Sequence, residues 1–293
     1  MIWFWLAIFS ALLSAAAAIL QKRSLKDMSA LNFSVAVSIL IALLSTPLLF
    51  FTGFEKLTSE SLFYLFLKSL VNAGAFLCIM TALKNLELSR TLPVLAASPL
   101  FIALLAYFFL GEDLNKFEVA GMLLIVAGTY ILEIKKNENA LYPLTVFRRS
   151  VHHRIIVLAL ILITISSVMD KFILVKFKLP PVLFVVIQNY FFLVVFSIIY
   201  LLSGKKKELI AFSKQNKYLI FILIVISITT ITYRLLQIEA VKLAPVSLVI
   251  SLKRLSVFFA VLIGAKIFRE ESYVKKIIAT ALIVGGAMMI YRE

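Results

Sequence analysis

The apolar positions of this chain run in long uninterrupted blocks, not in the alternation or stripes of a solvated domain. A bilayer core takes about 20 apolar residues per helix. Ten blocks approach that length: 2–20, 32–51, 62–82, 91–110, 117–134, 154–175, 182–202, 218–239, 246–268 and 274–291. Stretches such as Tyr218–Thr232 are apolar on every side, as suits a helix in lipid or in a bundle core. Barrel strands would alternate apolar and polar positions over about ten residues, and these blocks do not. The pattern predicts an all-α integral membrane protein with ten transmembrane helices. The first block has small residues around Ser14–Ala18 but no basic residue before Trp3–Ile8, so it reads as a span and not as a cleaved secretory leader.

Composition excludes several classes. Of 293 residues, 62% are hydrophobic and 15% charged, and the mean hydropathy is +1.05. Globular chains are about 45–50% apolar and about 25% charged, so a soluble enzyme is ruled out; disorder would need low hydrophobicity. The single cysteine, Cys78, excludes a disulfide scaffold, an iron–sulfur protein and a Cys-rich zinc module. Lys and Arg number 30 against 15 Asp and Glu. Most lie between apolar blocks, so the surplus reads as membrane-orientation charge and not as a nucleic-acid surface. No cofactor and no metal are expected; the partners expected are the lipid bilayer and a small-molecule substrate.

The longest connection, 135–153, separates a first half (1–134) from a second (154–293), with five blocks in each. Five is odd, so the second half enters the membrane in the opposite sense. Sliding the chain on itself by 158 residues pairs Ala82-Leu-Lys84 with Ala240-Val-Lys242, and Ser89 with Ser247. The same register pairs Ser98-Pro-Leu-Phe101 with Ser256-Val-Phe-Phe259, Glu112 with Glu270, and Leu124-Ile-Val-Ala-Gly128 with Leu282-Ile-Val-Gly-Gly286. The expected architecture is two inverted five-helix repeats, which secondary transporters use for alternating access.

These halves, with Ser98-Pro-Leu-Phe101, Leu110-Gly-Glu112 and Phe268-Arg-Glu270, resemble the EamA family of the drug/metabolite transporter superfamily over essentially the whole chain. The second copy departs from the first, with Arg269 where Gly111 stands. The resemblance implies a multi-pass solute carrier of the plasma membrane, with a central cavity between the halves and driven by a gradient. It leaves the substrate open. No Gly-x4-Gly-Lys-Ser/Thr loop is present, which argues against direct ATP drive. Odd-numbered connections hold most of the Lys and Arg; the even ones and the termini hold Lys56, Lys68, Lys116, Lys171, Lys176, Lys178, Lys242 and Arg292. Positive-inside logic then puts both termini outside, whereas the resemblance implies cytoplasmic termini. Monomer and homodimer both stay open.

Some polar residues fall inside the blocks. At about 1.5 Å per residue, Arg234 lies roughly 7 Å inside the eighth block, and Lys253 and Arg254 about 12 Å inside the ninth. All three enter from one membrane side. Asp170 and Lys171, near the end of the sixth block, share that side with Gln188, Asn189 and Tyr190 in the seventh. Intramembrane charges cost about 2.5–3.5 kcal/mol each on insertion scales and tend to face an interior, although Lys171 and Arg234 are shallow enough to snorkel. Lys171, Arg234, Lys253 and Arg254 against Asp170 form a net basic layer, which suits an organic anion gripped by Arg forks. The expected substrate-binding residues are Lys253, Arg254, Arg234, Asn189, Gln188, Tyr233, Lys171 and Asn72. Asp170 is read as an ion-pair partner of Arg234 or Arg254, or else as a coupling group. The Lys253-Arg254 pair is also similar to the basic pair of the triose-phosphate translocators, relatives within the superfamily. Phe76, Leu95 and Ala96 stand at the repeat-equivalent positions of Arg234, Lys253 and Arg254, so the layer is asymmetric.

Pro93 and Pro99 are expected to kink the fourth helix, as packing features or as a gating hinge. Ser10, Ser14 and Ala18, and Gly121 with Gly128, suit close helix packing. His152 and His153 are adjacent in the connection with no other ligand type close by, which does not make a metal site. Rival functions are an exporter of amino acids, amphipathic cations or neutral metabolites, a non-transporting scaffold, and an intramembrane enzyme. The last lacks a nucleophile–base pair or metal constellation, so no enzyme is expected.

Overall fold

A computed structural model describes residues 2–85, 95, 97–133, 151–203, 217–259 and 273–291. Pro93, Ala96, most of the 135–153 connection and the Phe268-Arg-Glu270 motif lie outside these residues. Within them the chain is helical: α1 Ile2–Asp27, α2 Ala30–Ser45 with a 3-10 turn Thr46–Phe51, α3 Ser59–Asn85, α4 Ser98–Leu110 and α5 Lys116–Glu133. The second half contributes α6 Val151–Phe177, α7 Pro181–Leu202, α8 Lys217–Leu243, α9 Val246–Lys253 and α10 Tyr273–Tyr291. Among the described residues, six helical spans are long and apolar enough to cross a membrane: Ile2–Asp27, Ala30–Phe51, Ser59–Asn85, Arg154–Phe177, Pro181–Leu202 and Lys217–Leu243.

The helices outrun the apolar blocks because polar end residues continue the backbone pattern. Reciprocal caps mark several starts. Asn115 and Glu118 exchange backbone-to-side-chain bonds at 2.9 Å before α5, a capping box that satisfies two of the orphan N–H groups. Ser29 Oγ accepts from Asn32 N–H at α2. Pro99 sits in the first turn of α4, where a missing N–H costs nothing. Gly111 ends α4 with φ +66°, a left-handed value that side chains resist. The ninth block is not one even helix: Arg254 forms a turn, with Val257 N–H on its carbonyl at 3.0 Å, and helix resumes over 255–259.

Each helix of the first half packs on one of the second: α1 on α8, α2 on α7, α3 on α6, α4 on α9 and α5 on α10. The α5–α10 contact depends on absent side chains. A Cβ on Gly286 would stand 2.5 Å from Gly121 O, and one on Gly128 would stand 2.7 Å from Ile283 Cγ1 and 2.8 Å from Ala279 O. Only small residues allow this backbone approach. Outward, Phe50, Phe51 and Leu202 are more than four-fifths exposed, a surface for lipid and not for water.

Among the described residues, two large apolar clusters form beside a smaller one around Ala82, Ile156 and Leu160. One joins Phe4, Leu65, Phe184, Val185, Ile238 and much of α9; the other joins Phe33, Ala73, Phe192, Phe196 and Ile231. Helix α3 passes between clusters from Leu65 to Ala73, α7 from Val185 to Phe192, and α8 from Ile231 to Ile238. Lys68, Gln188 and Arg234 fall in those gaps. The polar layer is thus the seam between two hydrophobic halves.

Candidate functional site

The seam is organised around Asp170 on α6, which is 2% exposed. Arg234 of α8 donates from Nη2 to Asp170 Oδ2 at 2.8 Å and to Gln188 Oε1 of α7 at 3.2 Å. On its other oxygen, Asp170 Oδ1 lies 2.7 Å from Nζ of Lys68 on α3, a fully buried lysine. Lys68 also sits over the Phe184 ring, 5.2 Å from its centroid. One carboxylate therefore answers two cations. Because α8 continues to Leu243, Arg234 is nine residues, about 14 Å along the axis, from the end of its helix.

Lys253 of α9 extends this layer. Its ammonium donates to Gln237 Oε1 and lies 4.8 Å from the Tyr233 ring centroid, a favourable cation–π geometry. It is within electrostatic range of Arg234, Arg254, Asp170 and Lys68, yet among the described residues no carboxylate pairs with it. Arg254, at the turn that interrupts the ninth block, donates to Ser98 Oγ at the start of α4. The two adjacent basic residues thus turn apart, one toward α8 and one toward α4. Asn189 Nδ2 donates to Ser45 Oγ at 3.2 Å, and Tyr190 shares a 2.8 Å bond with Thr46; both tie α7 to the end of α2. Asn72 lies one turn along α3 from Lys68, half-buried.

Lys171 is placed elsewhere. Its ammonium donates to Val241 O and Ala244 O, both at 2.9 Å, the orphan carbonyls at the end of α8, and lies 3.8 Å from Glu112. Being one residue from Asp170, it points about 100° away around the helix. Glu112 accepts from Val246 N–H at the start of α9, where the helix dipole favours an anion. Burial pushes the Glu112 carboxyl above the usual range, against the opposing pull of Lys171 and of that N–H.

Lys68 is the residue that sequence reasoning misassigned: it was counted among the charges of the connections, although it falls inside the 62–82 block. A lone lysine within an apolar run was the available signal. Its partner could not be inferred, because nothing in the α3 sequence indicates α6.

A family model for the EamA-like transporter family matches residues 1–134 and again residues 153–292. The chain belongs to the EamA-like transporter family. It is a membrane protein with several apolar spans. No curated protein matches the sequence. Among solved structures, one crystal structure of a protein matches with a TM-score of 0.73 and 18% identity, over 97% of this chain and 94% of that one. At that identity the likeness speaks to the fold alone, and it extends across both EamA-matching halves.

Proposed function

We propose that this EamA-like chain moves a small organic anion across the plasma membrane by alternating access, binding it in the layer of Lys253, Arg254 and Arg234. The observation that carries this is Lys253: an ammonium deep in a membrane helix whose described partners are a neutral amide and a ring face. Buried charge normally finds a counter-charge. Among the described residues Asp170 already pairs with both Lys68 and Arg234, and an anion supplies the counter-charge that Lys253 lacks. Asn189, Tyr233 and Asn72 offer neutral hydrogen-bonding groups around it, whereas Gln188 accepts from Arg234.

The alternating-access part is supported by the packing pattern. Exchanging the halves, α1 with α6 through α5 with α10, turns the α1–α8 contact into α6–α3 and leaves α2–α7, α4–α9 and α5–α10 unchanged, all of them contacts of the fold. Lys22 donates to Leu83 O as Lys171 donates to Val241 O, from the first helix of each half to the end of the third. Gly121 faces Gly286 as Ala279 faces Gly128. Such agreement supports two inverted repeats, with ten spans in all.

The test is a thermal-stability screen of detergent-purified protein against phosphosugars, carboxylates, amino acids, nucleobases and quaternary amines. A ligand at 100 times its dissociation constant stabilises by about 2.7 kcal/mol. A shift with anions that is lost in Lys253→Ala supports the reading, followed by uptake of the same anion into proteoliposomes. A shift with cations or neutral solutes alone leaves a carrier and removes the anion.

A further inference from the structure

We infer that Asp170 is a built-in rival of the transported anion for Arg234, and that Lys68 is the positioning residue that holds Asp170 when Arg234 turns to the substrate. This rests on the anion reading above and adds the exchange of partners by which the site fills.

Access separates the three members. Lys68 is 0% and Asp170 2% exposed, whereas the Arg234 side chain is 15% exposed, so Arg234 is the most accessible of the three. Arg234 is also only partly used. A single nitrogen, Nη2, serves both Asp170 and Gln188, and its Nε is buried without a hydrogen-bond partner among the described residues. A carboxylate or phosphate engages an arginine best through two nitrogens at once, a grip that Asp170 does not make. An arriving anion can therefore offer Arg234 a better fork than the one it leaves.

With Arg234 alone, that exchange would strand a buried carboxylate, the situation that makes breaking a buried pair costly. Lys68 removes the obstacle. It stands 2.7 Å from the opposite oxygen of Asp170, is held over Phe184, and has no route to solvent. Asp170 can give up Arg234 without losing its compensation. When the anion departs, the same carboxylate recaptures the guanidinium and favours release.

The test compares phosphate and succinate binding to wild type, Lys68→Met, Asp170→Asn and the double variant Lys68→Met/Asp170→Asn. Isothermal titration on detergent-purified protein in chloride-free buffer gives the affinities. The double variant keeps the layer's formal charge, since one cation and one carboxylate are removed together. Partner exchange nevertheless frees Arg234, and the double variant is expected to bind roughly tenfold tighter than wild type, the scale of a hydrogen bond to a charged group. Lys68→Met alone binds more weakly, because Asp170 then holds Arg234 without alternative, and Lys68→Arg restores most of the loss. If the Asp170 variants do not fold, Gln188→Leu removes the other acceptor on Nη2 at constant charge and is expected to tighten binding by a smaller factor. A double variant or Gln188→Leu that binds as wild type overturns the exchange while the anion reading stands. Wild type that binds neither phosphate nor succinate, nor any anion of the wider screen, overturns both.

Discussion

The α3–α6 and α1–α8 contacts occupy matching places in the two halves, yet one is charged and the other is not. In α3–α6, Lys68 meets Asp170 in a dry setting. The shift of 158 residues puts Ile226 at the place of Lys68, and aligning Lys22 with Lys171 puts Gln21 at the place of Asp170. Phe76 likewise stands where Arg234 does. The α1–α8 contact is held by Ser10 donating to Tyr233 O at 2.9 Å and, near its end, by Arg23 over the Tyr218 ring at 5.3 Å. Helix packing needs shape at these positions but no charge. An ion pair kept in only one of two such seams is therefore not a general requirement of this helix packing.

The comparison can be broken most sharply at Asp170. Asp170→Ala leaves two buried cations without their carboxylate and is expected to cost about 3–5 kcal/mol of stability. Gln21→Ala, the matching change in the other seam, should stay within about 1 kcal/mol. Unfolding midpoints in one detergent read both, and equal losses would mean that the Asp170 ion pairs add nothing to the stability of this seam.

Gly286→Val tests a place where the halves agree. The new Cβ meets backbone on two sides, Gly121 O at 2.5 Å and Ile125 N at 3.0 Å, so overpacking should cost about 3 kcal/mol. Gly128→Val meets Ala279 O in the matching contact and should cost about the same; a much smaller loss there would argue against the symmetry of the α5–α10 seam.

Smaller still is the pair Lys22→Met and Lys171→Met. Both lysines cap the end of a third helix, and each loss is expected near 1 kcal/mol. Anion binding should persist in Lys171→Met, since its ammonium serves Val241 and Ala244 and not the Asp170 layer. Abolished binding in a folded Lys171→Met protein would return that residue to the site.

The smallest effect is a pH slope at Glu112. Burial raises its folded pKa above the unfolded one, so the fold holds that proton more tightly. Its contribution is fully present below the ordinary glutamate range and is lost as pH rises through the raised value. The unfolding midpoint of Glu112→Gln, followed from about pH 4 to pH 7, should therefore gain on wild type as pH rises. A constant difference would show that the carboxyl is not perturbed.

Much of this was legible in the sequence. Each described helix falls on one of the apolar blocks, with ends that differ in places by seven residues or more, because a span needs length and apolarity and both are local. The side on which Asp170, Gln188, Arg234 and Lys253 gather followed from counting residues to helix ends. Two things did not follow. Helix ends were set by caps and by polar residues that lengthened α8. Lys68 points at Asp170 while Lys171 points at the end of α8, since depth in a helix does not determine direction around it.

The sequence by itself determined that this chain is an all-helical membrane protein of the EamA-like family, because lipid imposes a long apolar signature that is local to each segment. Only the tertiary structure decided which charges belong together. Asp170 takes Lys68 from a helix 102 positions earlier and Arg234 from one 64 positions later, and such partners are chosen by the packing of α3, α6 and α8, which no local pattern contains.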